Sequence, residues 1–190
     1  MNQLHPTLWR TCRVLACETR LELLQHLFEQ GELCVSELAA MTGISPHNAS
    51  TQLRALNARG LIALRREKQK VIYRAEANEA LDDAPALLRA VCDAFTKQTP
   101  RRTVFRLCTG FTHERRIKLV HVLAVSPQTF GELLSGTGMS GSALALHLEK
   151  LSSRGFVKKQ AGRYHLRRVK NPLRHALLHA ALAGTTEPQT

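Results

Sequence analysis

The sequence lacks the features typical of membrane, secreted or catalytic proteins. None of its apolar runs approaches about 18 residues, the length that a transmembrane helix needs, and the opening MNQLHPTLWR lacks a basic-then-apolar signal pattern. Its five cysteines are odd in number and not closely paired, which argues against a disulfide scaffold and favours a reducing compartment. Phosphate-cradling glycine loops, nucleophile motifs and His-Glu-x-x-His are also missing. We therefore expect a cytoplasmic protein that is not an enzyme and needs no cofactor.

Acidic residues are scarce, and the shortage is confined to one half of the chain. The 190 residues include 27 Lys and Arg against 15 Asp and Glu, which gives a net charge of +12. Residues 1–95 carry 11 basic and 11 acidic side chains, whereas residues 96–190 carry 16 and 4. Such a surplus predicts a binder of polyanions. The cations of the second half include Arg101, Arg102, Arg106, Arg115, Arg116, Lys118, Lys158, Lys159, Arg163, Arg167, Arg168 and Lys170.

The two halves are copies of one another. Thr7–Cys12 recurs as Thr103–Cys108 at a shift of 96 residues, and Arg20 matches Arg116 at the same shift. Past a one-residue difference in a loop the shift becomes 95. At that shift Gly43-Ile44-Ser45 matches Gly138-Met139-Ser140, and Arg59-Gly60-Leu61-Ile62 matches Arg154-Gly155-Phe156-Val157. The repeat predicts two domains, residues 1–98 and 99–190, divided near Thr99–Arg102.

Each copy has the local signals of three helices and a hairpin. In the first copy, Leu21, Leu24, Leu27 and Phe28 recur at helical spacing up to Gly31, where a left-handed cap is expected. A short helix over residues 35–41 ends before Gly43, and Ser45-Pro46 begins a third helix that reaches about residue 59. Two β-prone runs, residues 61–64 and 71–73, predict a two-stranded wing. This order is that of a winged helix-turn-helix, in which the third helix fits the major groove of DNA.

The exposed face of the third helix and the wing supply the candidate DNA contacts of the first copy. Ala49, Leu53 and Leu56 fall within about 60° of one another at 100° per residue, so they face the core. Short polar side chains near the start of the opposite face can reach base edges, whereas Arg54 and the wing cations can bind phosphates. The candidates are His47, Asn48, Ser50, Thr51, Gln52, Arg54, Arg65, Arg66, Lys68 and Lys70.

The second copy carries a different face at the same positions. Leu144, Leu148 and Leu151 turn inward, which leaves Ser142, Leu146 and Glu149 outward. A leucine can touch a thymine methyl and a glutamate can accept from cytosine, but neither binds phosphate. We therefore expect the first copy to supply most of the base recognition and the second to hold phosphates through its wing. The candidate contacts of this copy are Ser142, His147, Lys158, Lys159 and Arg163.

The first copy resembles the ArsR/SmtB family of bacterial winged-helix repressors. Residues 19–24, TRLELL, resemble the family's T-R-L-x-I-L opening, and residues 31–38, GELCVSEL, resemble its G-E-L-C-V-C-E-L segment. Residues 53–62, LRALNARGLI, resemble the exit from its recognition helix. The resemblance implies a DNA-binding repressor, and family members are usually homodimers joined through their first and last helices. Two copies in one chain suggest instead a pseudo-dimer joined by helices near residues 7–16, 78–96, 103–109 and 172–182, either as a monomer or as a further homodimer.

The family's thiolate metal site is not complete in this sequence. Cys34 matches the first cysteine of C-V-C, but Ser36 occupies the second position, and one sulfur does not make a zinc or arsenic site. His175 and His179 stand four apart but have no acidic partner at helical spacing, so we expect no metal there. A thiol switch remains an alternative for Cys12, Cys17, Cys34, Cys92 and Cys108, provided that the thiol concerned is exposed in positive surroundings.

The sequence thus predicts a mainly α-helical protein with small β wings, made of two tandem winged helix-turn-helix modules that form a pseudo-dimer. The predicted function is sequence-specific binding of double-stranded DNA as a transcriptional repressor. Two alternatives stay open. One is a winged-helix adaptor for protein partners, which an exposed Leu146 beside Glu149 would suit. The other is a binder of nucleic acid without sequence preference.

Overall fold

The computed structural model describes residues 7–81 and 83–183, and within them one pattern of elements occurs twice. The first module contains α1 (Leu8–Leu15), α2 (Glu18–Gln30), β1 (Leu33–Cys34), α3 (Val35–Thr42), α4 (Pro46–Asn57), β2 (Ala63–Glu67), β3 (Lys70–Arg74) and α5 (Ala84–Thr96). The second contains α6 (Arg101–Cys108), a 3-10 turn (Thr109–Phe111), α7 (Glu114–Val125), β4 (Gln128–Thr129), α8 (Phe130–Thr137), α9 (Gly141–Ser153), β5 (Val157–Gln160), β6 (Arg163–Leu166) and α10 (Pro172–Ala183). None of the helices over these residues is long and apolar enough to span a membrane.

Both modules are winged helix-turn-helix units, as the sequence predicted. Their hairpins are antiparallel, with Leu64 opposite Tyr73 in the first wing and Lys159 opposite Tyr164 in the second. Each sheet also has a third, two-residue strand that the sequence did not predict, because β1 and β4 pair with the inner strands β3 and β6. The extra strand ties the base of each wing to the start of the short helix α3 or α8.

The third helix of the first module begins where its capping residues predict. The Ser45 hydroxyl accepts a hydrogen bond from the Asn48 N–H at 3.2 Å. Pro46 has no N–H and so fits the first position of the helix, where an N–H would have no partner within the helix. The helix ends at Asn57, two residues before the predicted end, and the Asn57 side chain donates to the Ile62 carbonyl at 2.8 Å. This bond fixes the turn that leads from α4 into the wing.

The second helix differs from its prediction at its carboxyl end. Leu21, Leu24 and Leu27 are buried, but Phe28 is 38% exposed and its ring lies 6.4 Å from that of Phe95. Gly31 ends the helix with φ +85° and ψ −130°, which is not the left-handed helical cap that was expected. A positive φ still favours glycine there.

The two modules pack through matching elements, which is the arrangement of a pseudo-two-fold axis. Helix α1 packs on α6 and the 3-10 turn, and α5 packs along α10. One continuous apolar core extends through both modules. Polar ties also cross between them: Arg101 forms an ion pair with Glu22 at 3.0 Å, and Arg13 donates to the Thr112 carbonyl at 3.0 Å. The helices expected at the junction are found there, and α2, which was not expected, joins them by packing on α6.

The cores of the two modules are filled by different pairs of side chains. Gly110 matches Val14 in the repeat, and Phe156 matches Leu61. A Cβ atom on Gly110 would lie 2.5 Å from the Phe156 ring, which packs edge-on against Phe111 with ring centroids 4.6 Å apart. The larger aromatic of the second module is thus accommodated against a glycine, where the first module has a valine.

Candidate nucleic-acid interface

The outer face of α4 is polar and accessible. His47, Asn48, Thr51 and Arg54 are exposed, while Ala49, Leu53 and Leu56 on the opposite side are fully buried. Helix α4 packs on α1, α2 and α3 of its own module. Its first two turns therefore present short hydrogen-bonding side chains at the end of a helix that can enter a major groove.

Two side chains on this face are held along the helix surface. The Thr51 hydroxyl donates to the His47 carbonyl at 3.0 Å. The Arg54 guanidinium lies back over the preceding turn, with 3.4 Å contacts to the Ser50 carbonyl and the Thr51 hydroxyl. Because a guanidinium has five N–H donors, Arg54 keeps donors for a phosphate or a base. Ser50 itself is half-buried and offers less to a ligand than its neighbours do.

The Gln52 side chain is hydrogen-bonded at both ends of its amide. Arg20 donates to Gln52 Oε1 at 2.7 Å, and Gln52 Nε2 donates to Asn48 Oδ1 at 2.9 Å. Arg20 is fixed in turn by its bonds to the Val14 and Arg13 carbonyls at 2.6 and 3.2 Å. The chain of hydrogen bonds links the end of α1 to the exposed amide of Asn48. Sequence reasoning placed Gln52 on the exposed face and missed its partner.

The bonds from Arg20 to two backbone carbonyls form an arginine clamp, which the second module repeats. The repeated clamp shows that the prediction for His147 was wrong. Arg116, the match of Arg20, donates to the Gly110 and Thr109 carbonyls at 2.7 and 3.2 Å, and its Nη1 lies 3.4 Å from His147 Nδ1. His147 is 6% exposed, so it does not face outward as predicted. Arg116 is 7% exposed and adds nothing to the basic surface that the sequence suggested. Arg116 faces inward because the carbonyls that end the preceding helical segment need a donor, and His147 faces inward beside it.

Burial gives the His147 imidazole an unusual pKa. Its ring lies 4.8 Å from that of His113, which accepts a hydrogen bond from the Arg115 N–H through Nδ1. Burial, followed by His113, Arg116 and Arg115, lowers the pKa of His147 to about 4. Burial and the same arginines also lower the pKa of His113. Both rings are therefore neutral near pH 7.

The outer face of α9 is accessible but largely apolar. Ser142, Ala145 and Glu149 are exposed, and Leu146 is 62% exposed. Leu144, Leu148 and Leu151 are buried, as predicted. The Ser140 hydroxyl caps the helix by accepting from the Ala143 N–H at 3.4 Å, which matches the cap of α4. The two third helices thus begin alike and present different chemistry.

The cations of the first wing differ in whether they form ion pairs with acidic side chains. Arg65 is paired with Glu32 at 2.8 Å and Glu67 at 2.7 Å, and these bonds raise its pKa above the ordinary value. The same pairing lowers the pKa of the Glu32 carboxyl. Arg65 must therefore exchange or share partners before it binds a phosphate. The other predicted cations of this wing, Arg66, Lys68 and Lys70, are exposed near the β2–β3 turn, where Lys68 has a positive φ of 54°.

The second wing shows the same division. Arg163 donates to Glu132 at 3.0 Å and to the Pro127 carbonyl at 3.1 Å, so it braces the wing against α8. Lys158 donates to Gln160 at 2.6 Å, and the Lys159 ammonium lies 5.5 Å from the centre of the Tyr164 ring. Lys158 and Lys159 are exposed and have no ion-pair partner among residues 7–81 and 83–183.

The five cysteines are free thiols, and the surroundings of Cys12, Cys92 and Cys108 do not favour reactivity. Cys12 and Cys108 are completely buried, and burial raises the pKa of each thiol, to about 12 for Cys108. Burial likewise raises the pKa of the half-buried Cys92 to about 11. Cys34 is 6% exposed and sits at the start of α3, with Sγ 3.0 Å from the Ser36 hydroxyl. Cys17, which is half-buried, precedes α2.

Cys34 has a structural role that its match in the repeat makes visible. Its N–H donates to Glu37 at 2.7 Å, as the N–H of Thr129 donates to Glu132 at 2.7 Å. These are reciprocal caps at the starts of α3 and α8. Within the part of the chain that the structure describes, no three His, Cys, Asp or Glu side chains are grouped to hold a metal ion.

Comparison with known proteins finds one family that matches both modules and individual relatives that match less than half of the chain. The family described as "Bacterial regulatory protein, arsR family" matches residues 17–63 and 113–159, one stretch in each module. The HTH-type transcriptional regulator Rv0324 of Mycobacterium tuberculosis is 38% identical over 84 residues, which cover 44% of this chain and 36% of that protein. The chain thus spans about a third of the length of this curated relative.

Two solved structures, both of fragments 1–100 from Mycobacterium bovis, are also similar. One is a crystal structure of a possible transcriptional regulatory protein, 38% identical over 44% of this chain and 88% of that one, with a TM-score of 0.35. The other is a solution structure of a homodimeric winged helix-turn-helix DNA-binding domain, described as a possible ArsR-family transcriptional regulator. It is 36% identical over 47% of this chain and 81% of that one, with a TM-score of 0.36.

Proposed function

Because the chain belongs to the arsR family of bacterial regulatory proteins, we propose that it regulates transcription, as a repressor, by sequence-specific binding of double-stranded DNA. The observation that carries the proposal is the outer face of α4. His47, Asn48 and Thr51 lie exposed on the first two turns of a helix whose other side is locked into the core. Side chains of this kind match the donor and acceptor pattern of base edges in the major groove.

The distribution of positive charge supports a duplex partner. Exposed cations flank both third helices, with Arg54, Lys68 and Lys70 in the first module and Lys158 and Lys159 in the second. Arg65 and Arg163 have acidic partners, so we assign them to bracing the wings. The expected number of phosphate contacts is therefore lower than the count of basic residues suggests. We propose accordingly that the protein acts in the cytoplasm, as a regulator and not as an enzyme.

We propose that one chain acts as an intramolecular pseudo-dimer, with domains divided at residues 98 and 99. Matching helices already pair within the chain, α1 with α6 and α5 with α10, so the surfaces that a winged-helix homodimer would use are filled. A monomer of 21.2 kDa with two third helices would bind half-sites about 34 to 36 Å apart, or a multiple of that distance. Light scattering with and without duplex tests this stoichiometry.

The test of function is selection of bound duplexes from a random pool, followed by anisotropy titrations at several salt concentrations. Each neutralised phosphate adds about 0.9 to the salt exponent, so a regulator with six to ten contacts loses roughly 10³ to 10⁵ in affinity between 50 and 200 mM salt. Thr51→Ala with Arg54→Gln should relax sequence preference. Lys158→Gln with Lys159→Gln should weaken all duplexes alike and flatten the slope by about 1.8.

Lys118→Gln serves as the matched control, because Lys118 is an exposed cation on α7, outside α9 and the wing. It should leave the salt slope nearly unchanged. Salt-independent binding, or no duplex binding, would overturn the proposal. Equal affinity for selected and random duplexes would leave a nucleic-acid binder without sequence preference.

A further inference from the structure

The groove-facing positions of α9 have lost the hydrogen-bonding groups that α4 carries. At the shift of 95 residues, Thr51 is replaced by Leu146 and Ser50 by Ala145, while the cation Arg54 is replaced by the anion Glu149. Ser142 stands where His47 does. The change is therefore directional, from polar and basic to apolar and acidic, on a helix that keeps its serine cap and its buried leucines.

The apolar side chains on this face do not belong to a core. Leu146 is 62% exposed, and α9 packs through its opposite side on α7, α8, β5 and the 3-10 turn of its own module. Leu144, Leu148 and Leu151, which make that packing, are each no more than 2% exposed. Leu146 is thus accessible at the position where the paired module exposes Thr51 toward the groove.

Resting on the proposed function, we propose that α9 recognises thymine in its half-site through the C5-methyl group, with Leu146 as the specificity-determining residue and Ala145 beside it. The thymine methyl is the apolar group that a base pair exposes in the major groove, and aliphatic side chains are its partners there. Glu149 lies one turn further along α9 and can accept a hydrogen bond from the N4 amine of cytosine. The two half-sites are then recognised by different chemistry.

The charges around α9 favour DNA as the occupant of this face. Glu149 would be repelled by phosphates, so it is compatible with DNA only when it faces base edges in the middle of the groove. The neighbouring wing supplies the compensating cations, since Lys158 and Lys159 are exposed on β5, which directly follows α9 and packs against it. The apolar and acidic side chains of α9 can therefore meet base edges while the lysines of β5 meet the flanking phosphates.

The experiment replaces thymine by uracil, which removes the methyl group and leaves the hydrogen-bonding pattern intact. Full-length protein is titrated with its selected duplex and with duplexes that carry uracil in one half-site or the other. Burial of one methyl corresponds to about a fourfold change in Kd. For the unmodified chain we expect uracil to weaken binding by this factor in one half-site only. For the Leu146→Ala chain we expect duplexes with thymine and with uracil to bind with equal Kd. Replacing cytosine by 5-methylcytosine adds a methyl at the same groove position and is the complementary probe.

Val125→Ala is the matched control, because Val125 is an exposed aliphatic residue, 86% accessible, at the end of α7 rather than on α9. It should keep the uracil effect. Equal melting temperatures show that the Leu146→Ala chain is folded. Specific binding that is insensitive to uracil in both half-sites, or a uracil effect that survives Leu146→Ala, would overturn this inference and leave the proposed function intact. Loss of salt-dependent duplex binding altogether would overturn both and assign the face to a protein partner.

Discussion

Replacing His147 with glutamine should remove a loss of stability that the protein suffers in mild acid. His147 is 6% exposed, lies 3.4 Å from the Arg116 guanidinium and packs against the His113 ring, so a positive charge on its imidazole is poorly tolerated. Its pKa falls from an ordinary value near 6.5 to about 4 in the folded chain. The unfolded chain takes up the proton at the ordinary value, so it binds more protons than the folded chain between these two pH values.

The sign and size of the effect follow from that difference. The free energy of unfolding falls as the pH drops below about 6.5 and levels off below about 4. At pH 5 the loss amounts to about 2 kcal/mol, because each pH unit corresponds to about 1.4 kcal/mol. For a chain of this size that is a decrease in Tm of about 4 to 8 °C. The pKa of the neighbouring His113 is lowered as well, so the loss in acid belongs to the two rings together.

Glutamine is the informative substitution because the first module already uses it. Gln52 accepts from Arg20 at 2.7 Å at the matching position, so glutamine at 147 can keep the bond from Arg116 without titrating. Urea unfolding at pH 7 and pH 5 should therefore show a smaller loss for His147→Gln than for the unmodified chain. His175→Gln, at an exposed histidine on α10, should behave as the unmodified chain does. Identical pH dependence for His147→Gln and the unmodified chain would refute the reasoning.

Three further outcomes are expected from the two module cores and from the thiols. Gly110→Val should destabilise the chain by about 1 to 3 kcal/mol through overpacking against Phe156, and adding Phe156→Leu should recover part of that loss in a urea-unfolding cycle; additive losses would contradict the coupling. Gly60→Ala should lower Tm more than Gly155→Ala: both glycines have positive φ, but the Gly60 Cβ would lie 2.5 Å from a Leu81 methyl and the Gly155 Cβ 3.3 Å from a flexible guanidinium. Mild oxidant should change duplex affinity by less than about twofold, because the most buried thiols have raised pKa values; a larger change that a cysteine-free variant abolishes would establish a thiol switch.

Local signals in the sequence were sufficient for much of the fold. The serine caps at Ser45 and Ser140, the glycine stops at Gly43 and Gly138 and the spacing of the inward leucines depend on residues within one or two turns. They therefore predicted the order of elements and the inward and outward faces of both third helices. Most of the junction helices were also predicted, because the family that the first copy resembles joins its subunits through the first and last helices; the packing of α2 on α6 was not predicted.

The site could be predicted only in outline, because side chains distant in sequence decide which candidates are free. Nothing near Arg65 in the sequence shows that Glu32, 33 residues earlier, occupies its guanidinium. The burial of His147 depends in the same way on Arg116, which comes 31 residues before it. One signal was available, however. Arg20 and Arg116 match in the repeat, although the outer faces of the third helices differ. A cation present in both copies near the end of a helix indicates an arginine that donates to the carbonyls of that helix end.

Fusion of the two modules explains why their groove-facing residues can differ while their frameworks agree. A homodimer presents each residue twice, so any change at a base-reading position alters both half-sites at once. In this chain the clamp arginines and the serine caps are retained in both halves, and α5 pairs with its match α10. The outer faces differ, since Thr51 and Leu146 occupy the same position on the two third helices. Because the junction is built from residues outside α4 and α9, either face can change without disturbing the packing of the modules. The proposal that each module recognises a half-site of its own rests on that separation.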